Sequence, residues 1–124
     1  MKICICDDEK DFIHNFQLLL KQYSKKHKNI NQFNSFENEN DLLSYFYSQN
    51  DIDILFLDIK FQTYSGIEIA KKIRGINPSV ILIFLTSFPE YALSGYKVKA
   101  FDYLVKTTFI SAIGKCFGPS YFRT

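Results

Sequence analysis

Residues 54–58 read ILFLD, the end of an apolar run that begins at Ile52 and is followed by a carboxylate. An apolar run without polar alternation is typical of a strand covered on both faces, as in a parallel sheet. Two further runs have the same character, Ile3-Cys4-Ile5-Cys6 and Val80 to Leu85. The first of these is followed by the acidic pair Asp7-Asp8. The pattern therefore predicts a parallel sheet in which two strands end in carboxylates.

Amphipathic stretches separate the apolar runs, and their apolar side chains recur in steps of three and four, which is typical of helices. The predicted helices are Asp8 to Lys26, about Asn38 to Ser48, one that starts at Ser65 and ends near Gly75, one from Ser87 to about Gly95, and a terminal helix carrying Phe109, Ile110, Ile113 and Phe117. The remaining predicted strands are residues 29–35 and Ala100 to Val105. Five repeats of strand and helix predict an α/β fold with a doubly wound parallel sheet.

Length and composition limit the class of protein. A chain of 124 residues is the size of one domain, and its 47% hydrophobic and 23% charged residues are typical of a globular fold. With 15 basic and 13 acidic side chains, the net charge of +2 is too small to imply a polyanionic partner. The three cysteines have neither a metal-binding nor a disulfide spacing. We therefore expect a cytoplasmic, soluble protein without membrane contact, with a domain over residues 1–118 and a tail over 119–124.

The carboxyl ends of the predicted strands carry the residues that could take part in ligand binding or catalysis. Ligands of open parallel sheets bind at this edge. Asp7-Asp8 follow the first strand, Asp58 ends the third, Thr86 ends the fourth and Lys106 follows the fifth. Close carboxylates repel one another, and Mg²⁺, which prefers oxygen ligands, would offset that repulsion. A carboxylate beside such an ion is suited to accept a phosphoryl group. Each residue alone has a structural explanation, and only the conjunction carries this hypothesis.

Together these pieces resemble the receiver domain of two-component response regulators, over residues 1 to 107. The matching segments are Cys6-Asp7-Asp8-Glu9, Phe56-Leu57-Asp58-Ile59, Gly66, Leu85-Thr86-Ser87 and Asp102-Tyr103-Leu104-Val105-Lys106. The stretch from Glu90 to Leu104 is most similar to receivers that precede LytTR-type DNA-binding domains. The resemblance implies a three-layer, doubly wound, five-stranded parallel sheet with the flavodoxin-like strand order 2-1-3-4-5.

The resemblance also implies how the acidic edge works. Asp58 would accept the phosphoryl group from a phosphohistidine on a sensor histidine kinase. Asp8 and Asp58 would bind Mg²⁺ directly, Asp7 would bind it through water, and the backbone carbonyl of Lys60 would supply a further ligand. The domain would assist its own phosphorylation and dephosphorylation, without turning over a separate substrate.

A switch is implied on the other side of the site. Lys106 would pair with the phosphoryl oxygens, and Thr86 would donate a hydrogen bond to one of them. Tyr103 would turn inward when Thr86 moves. The surface formed by the fourth helix, the fifth strand and the terminal helix would then change and support a homodimer. The expected role is transcription regulation, without direct contact between this domain and nucleic acid.

Two positions depart from the family pattern and keep other functions open. Gln62 and Thr107 stand where receivers usually have proline. These departures favour, as an alternative, a receiver-like interaction module that is never phosphorylated. A third hypothesis is a stand-alone phosphatase built on the same fold.

Overall fold

The computed structural model describes residues 1–27, 30, 32–49, 51–58, 66–86 and 102–105. In chain order the elements are β1 (Lys2–Cys6), α1 (Lys10–His27), β2 (Gln32–Phe36), α2 (Glu39–Ser48), β3 (Ile54–Asp58), α3 (Gly66–Ile76), β4 (Ile81–Thr86) and β5 (Asp102–Val105). The five strands form one parallel sheet in the order β2-β1-β3-β4-β5. This order confirms the flavodoxin-like α/β fold predicted from the sequence.

Helices cover both faces of the sheet, because successive side chains of a strand point to opposite faces. Cys4 and Cys6 of β1 pack in a cluster with apolar residues of α2 and α3. Ile3 and Ile5 of the same strand pack in a second cluster with apolar residues of α1. The sheet therefore lies between α1 on one side and α2 with α3 on the other. This arrangement confirms the three predicted layers and explains why the central strands are apolar throughout.

Local hydrogen bonds shift several predicted boundaries. The helix predicted from Asp8 begins at Lys10, because the backbone N–H of Glu9 donates to Asp7 Oδ1 (2.9 Å) and forms a turn first. Helix α2 follows Asn38, whose Oδ1 accepts from the backbone N–H of Asp41 (2.9 Å) as an N-cap. The strand predicted over residues 29–35 is found at Gln32–Phe36, in register with β1 along its whole length.

Other predicted segments lie outside the described residues. These are the capping residue Ser65, the helix from Ser87 to Gly95, the terminal helix and the tail over 119–124.

Cys4 and Cys6 are buried free cysteines, as expected for small apolar side chains. Burial raises the pKa of the Cys4 thiol to about 12. Of the described helices, none has the length and apolar character needed to cross a bilayer.

Phe16 packs α1 against the sheet. Its side chain is fully buried, and its ring meets that of Phe56 in β3 edge to face, with the centroids 4.7 Å apart. The ring of Phe33 in β2 lies on another side at 6.1 Å. Aromatic rings bury large areas and gain further from such geometry. We conclude that Phe16 holds α1 against both β2 and β3.

We predict that Phe16→Ala lowers the free energy of unfolding by about 3–5 kcal/mol, since it removes a buried ring and leaves a cavity. Leu18→Ala on the same helix is the matched control, because Leu18 is 45% exposed and its loss should cost about 0.5 kcal/mol or less. Urea unfolding followed by circular dichroism measures both values. Similar losses for the two variants would contradict this packing.

Candidate functional site

The site lies where β1 and β3 end side by side. The two strands are paired in register, with Cys6 opposite Leu57, so Asp7 follows β1 next to Asp58 at the end of β3. Helix α1, which follows β1, and helix α3, which follows β3, pack on opposite faces of the sheet. The chain therefore diverges at this point and leaves a crevice, which is where ligands of doubly wound sheets bind.

Three carboxylates meet in this crevice. One oxygen each from Asp7, Asp8 and Asp58 lies within 4.8 Å of the other two. Asp7 is fully buried, Asp58 is 5% exposed and Asp8 is half-buried. Like charges this close repel one another, and the partial burial strengthens the repulsion. The all-oxygen donor set, in which Asp8 keeps partial access to solvent, suits a hard divalent cation such as Mg²⁺.

Asp7 is held from two sides. Its backbone N–H donates to the carbonyl oxygen of Phe36 at the end of β2 (3.0 Å). Its Oδ1 accepts from the backbone N–H of Glu9 (2.9 Å), which fixes the turn that carries Asp8. These contributions of Phe36 and Glu9 were missed by sequence reasoning, because backbone groups of any residue type could make them.

The negative charge of the site reaches the core beneath it. Burial, and after it the charges of Asp7, Asp58 and Asp8, raise the pKa of the Cys6 thiol. The thiol is therefore neutral, and a buried neutral cysteine packs as a small apolar side chain. Its sulfur lies 3.9 Å from the carbonyl oxygen of Asn38, the residue that caps α2.

The other predicted site residues lie partly or wholly outside the description. Thr86 is the last residue of β4, and Leu85 before it is opposite Asp58. The backbone of Thr86 is therefore one position beyond Asp58. Tyr103 is in β5, opposite Phe84. The side chains of Thr86 and Tyr103, and the whole of Lys60 and Lys106, are outside the described residues. Their roles stay predictions.

The fold and the cluster define an α/β domain with an acidic site at the switch point of its sheet. The family model of the response regulator receiver domain matches residues 3–115 of the chain. The chain therefore belongs to that family, which confirms the resemblance seen in the sequence.

Two relatives show the kind of receiver. The chain is 30% identical over 106 residues to the transcriptional regulatory protein YpdB of Escherichia coli K12, covering 86% of this chain and 41% of YpdB. It is 34% identical over 106 residues to the sensory transduction protein LytT of Oceanobacillus iheyensis, covering 84% of this chain and 41% of LytT. The second match confirms the likeness to LytTR-type regulators. The chain spans about two fifths of the length of these curated relatives.

A solved structure supports the same assignment. The response regulator TrrA of Thermotoga maritima, in complex with Mg(2+)-BeF, is 31% identical to this chain. The two structures superpose with a TM-score of 0.67 over 92% of this chain and 94% of TrrA.

We predict that Asp8→Asn raises the free energy of unfolding by about 1 kcal/mol when divalent ions are chelated, because it removes one of the three repelling charges. Asp11→Asn is the control, since Asp11 lies in the first turn of α1 and its charge complements the helix dipole. This control should lose a few tenths of a kcal/mol. Chemical unfolding in EDTA measures both changes, and a loss of stability in Asp8→Asn would refute the repulsion.

Proposed function

We propose that this receiver domain is a phosphoacceptor switch, in which Asp58 accepts a phosphoryl group from a phosphohistidine of a sensor histidine kinase. The observation that carries the proposal is the convergence of Asp7, Asp8 and Asp58 within 4.8 Å at the switch point. This arrangement costs folding free energy, and repelling side chains of this kind are characteristic of functional sites rather than of packing.

Mg²⁺ is the proposed cofactor, bound directly by Asp8 and Asp58, through water by Asp7, and by the backbone carbonyl of Lys60. The half-buried position of Asp8 supports direct binding, because a carboxylate with partial access to solvent can be reached by an ion. The turn that engages Asp7 Oδ1 supports an indirect role for Asp7. The complex of TrrA with Mg(2+)-BeF supports the choice of ion. Bound Mg²⁺ would offset the charge on the phosphoryl oxygens during transfer.

In the proposed transfer, a carboxylate oxygen of Asp58 forms a new O–P bond while the N–P bond of the phosphohistidine breaks. The electron pair of that bond returns to the imidazole of the kinase. Asp58 is only 5% exposed, which limits the access of water to the resulting acyl phosphate. Lys106 is proposed to pair with the phosphoryl oxygens. The domain thus assists its own phosphorylation and the later hydrolysis of the acyl phosphate.

The proposed output follows from the neighbouring strands. Thr86 would donate a hydrogen bond to the new phosphoryl group, and Tyr103 would turn inward in response. Their positions support this order of events, because β4 lies next to β3 and β5 lies next to β4. The fourth helix, β5 and the terminal helix would then form a dimer face. By analogy with YpdB and LytT, we propose a role in transcription regulation for a domain that extends over residues 1–118.

We predict that a small phosphodonor such as acetyl phosphate, with Mg²⁺, adds one phosphoryl group to the wild-type chain. Asp58→Asn should remove this modification, because an amide cannot replace the attacking carboxylate. Asp53→Asn is the matched control, because Asp53 directly precedes β3 at the end opposite to Asp58, and this variant should still be phosphorylated. Intact mass spectrometry measures the product, and EDTA should prevent it.

An unmodified wild-type chain under these conditions would favour the rival function, an interaction module that is not phosphorylated. Labelling of Asp58→Asn to the wild-type extent would place the acceptor elsewhere. Release of free phosphate from many small phosphoesters per chain would instead support a phosphatase.

We further predict that beryllofluoride with Mg²⁺ shifts the wild-type chain to a dimer in size-exclusion chromatography. Asp58→Asn should elute at the same volume with and without the mimic. An unchanged wild-type elution volume at high protein concentration would contradict the proposed dimer, while leaving the phosphorylation of Asp58 intact.

A further inference from the structure

Among the residues that the structure describes, β2 is an edge strand of the sheet. Within the described part of the chain, β2 pairs with β1 alone, in an unbroken register of five residues. Its sequence, QFNSF, has no charged residue and no proline. Natural edge strands are commonly protected by charges, prolines or bulges, since their unpaired backbone groups attract other strands. Strand β2 has none of these protections.

The outward backbone groups of β2 can be identified. The carbonyl oxygen of Phe36 accepts from the N–H of Asp7, so the backbone of Phe36 faces β1. Along a strand, the backbone groups of successive residues point alternately to either side. The N–H and C=O groups of Phe33 and Ser35 therefore face outward, where a further strand would bind.

One stripe of α1 runs beside this edge. Its members are spaced by three and four residues, as on one face of a helix, and they are Lys10, Ile13, Gln17, Leu20 and Ser24. Between this stripe and β2 lie two hollows of about 450 Å³ and about 190 Å³. Ser35 lines the larger hollow and Phe33 lines the smaller one. Helix α1 and strand β2 thus border both hollows, and the larger one is also lined by Glu37, Asn38 and Asp41 beyond the end of β2. We call the two hollows together the α1–β2 groove.

The two hollows differ in chemistry. The larger one is lined by two carboxylates, Glu37 and Asp41, and by one ammonium group, that of Lys10. Lys10 and Glu37 lie 3.9 Å apart with side chains 81% and 51% exposed, so their ion pair is weak and readily exchanged. The smaller hollow combines three apolar residues, Leu20, Ile30 and Phe33, with the polar or charged residues Gln17, Lys21, Ser24 and Gln32.

The face of β2 toward α2 is already occupied. Gln32 Nε2 donates to Asn34 Oδ1 and to the hydroxyl of Tyr45, both at 2.9 Å. The Tyr45 hydroxyl in turn donates to Asn34 Oδ1 (3.1 Å). These bonds hold the amide side chains against α2, so the groove on the α1 side is the open one.

We infer that the α1–β2 groove binds an extended segment of a partner protein, which adds to β2 as a strand. The backbone of the segment would pair with Phe33 and Ser35. A basic side chain would lie beside Glu37 and Asp41, and an aliphatic side chain would contact Leu20 and Phe33. A helix beside an open strand edge is a geometry that suits such strand addition. The inference uses none of the residues of the phosphoacceptor site.

The test uses the full chain labelled with ¹⁵N. The probe is a synthetic peptide of alternating valine and threonine, with one leucine and one arginine whose side chains lie on the same face of the extended peptide. Binding should slow amide hydrogen exchange at Phe33 and Ser35. Ser35→Pro should weaken binding about tenfold, because it removes an outward N–H. Proline is tolerated at such an edge position, so this variant should fold.

Charge reversal gives a second, independent measurement. Glu37→Lys should weaken the arginine peptide about tenfold and strengthen a peptide with glutamate in that place. Asp11→Lys is the control, since Asp11 lies on α1 but lines neither hollow, and both peptides should bind it as they bind the wild type.

Three results would overturn the inference. The first is the absence of binding, and the second is binding that leaves the amides of Phe33 and Ser35 unprotected. The third is self-association of the chain that Ser35→Pro removes, which would make a second copy the occupant of the edge. A failure of the phosphorylation experiment would leave all of these readouts unaffected.

Discussion

The pairing of β1 with β3 brings together carboxylates that repel one another. The register of the two strands fixes the positions of Asp7 and Asp58, because Cys6 lies opposite Leu57 and an aspartate follows each of them in the chain. The side chains below this level are fully buried, among them Ile5, Phe56 and Leu57. Their burial supplies the favourable free energy that holds the charges in place. The acidic site is therefore a cost that the apolar strands offset.

This constraint explains the division of labour along the chain. The strands β1, β3 and β4 are apolar on both faces and form the rigid part of the fold. The candidate site residues are the last residues of these strands or directly follow them, where the backbone leaves the sheet. Asp7 lies at the junction, since its backbone binds β2 and its side chain fixes the turn before α1. The packed strands matter for the site, because closely packed side chains resist displacement and so keep the repelling carboxylates close together.

The edge strand β2 follows different rules from the central strands. Phe33 packs toward α1 and Phe36 toward α2, while the polar residues between them reach solvent or Tyr45. Such a strand contributes less to the core than β3 does. Its outward backbone groups are instead available to the proposed partner strand, and the stripe of α1 beside β2 would contact the side chains of that strand.

The sequence allowed the apolar strands and the amphipathic α1 to be predicted, because each has a strong local pattern. The predicted β2 began three residues and ended one residue too early, because an edge strand that is only half-buried has a weak pattern. The cluster of Asp7, Asp8 and Asp58 was predictable from strand ends alone, since parallel strands end at one edge of a sheet. The carbonyl of Phe36 and the α1–β2 groove were not, because both depend on how distant elements pack.

The most direct measurement is a calorimetric titration of the chain with Mg²⁺, repeated on Asp8→Asn. If the three carboxylates form a working metal site, the wild type binds one ion and Asp8→Asn binds it at least about tenfold more weakly. Equal affinity in the two proteins, or no saturable binding by the wild type, would contradict the site on which the proposed switch depends.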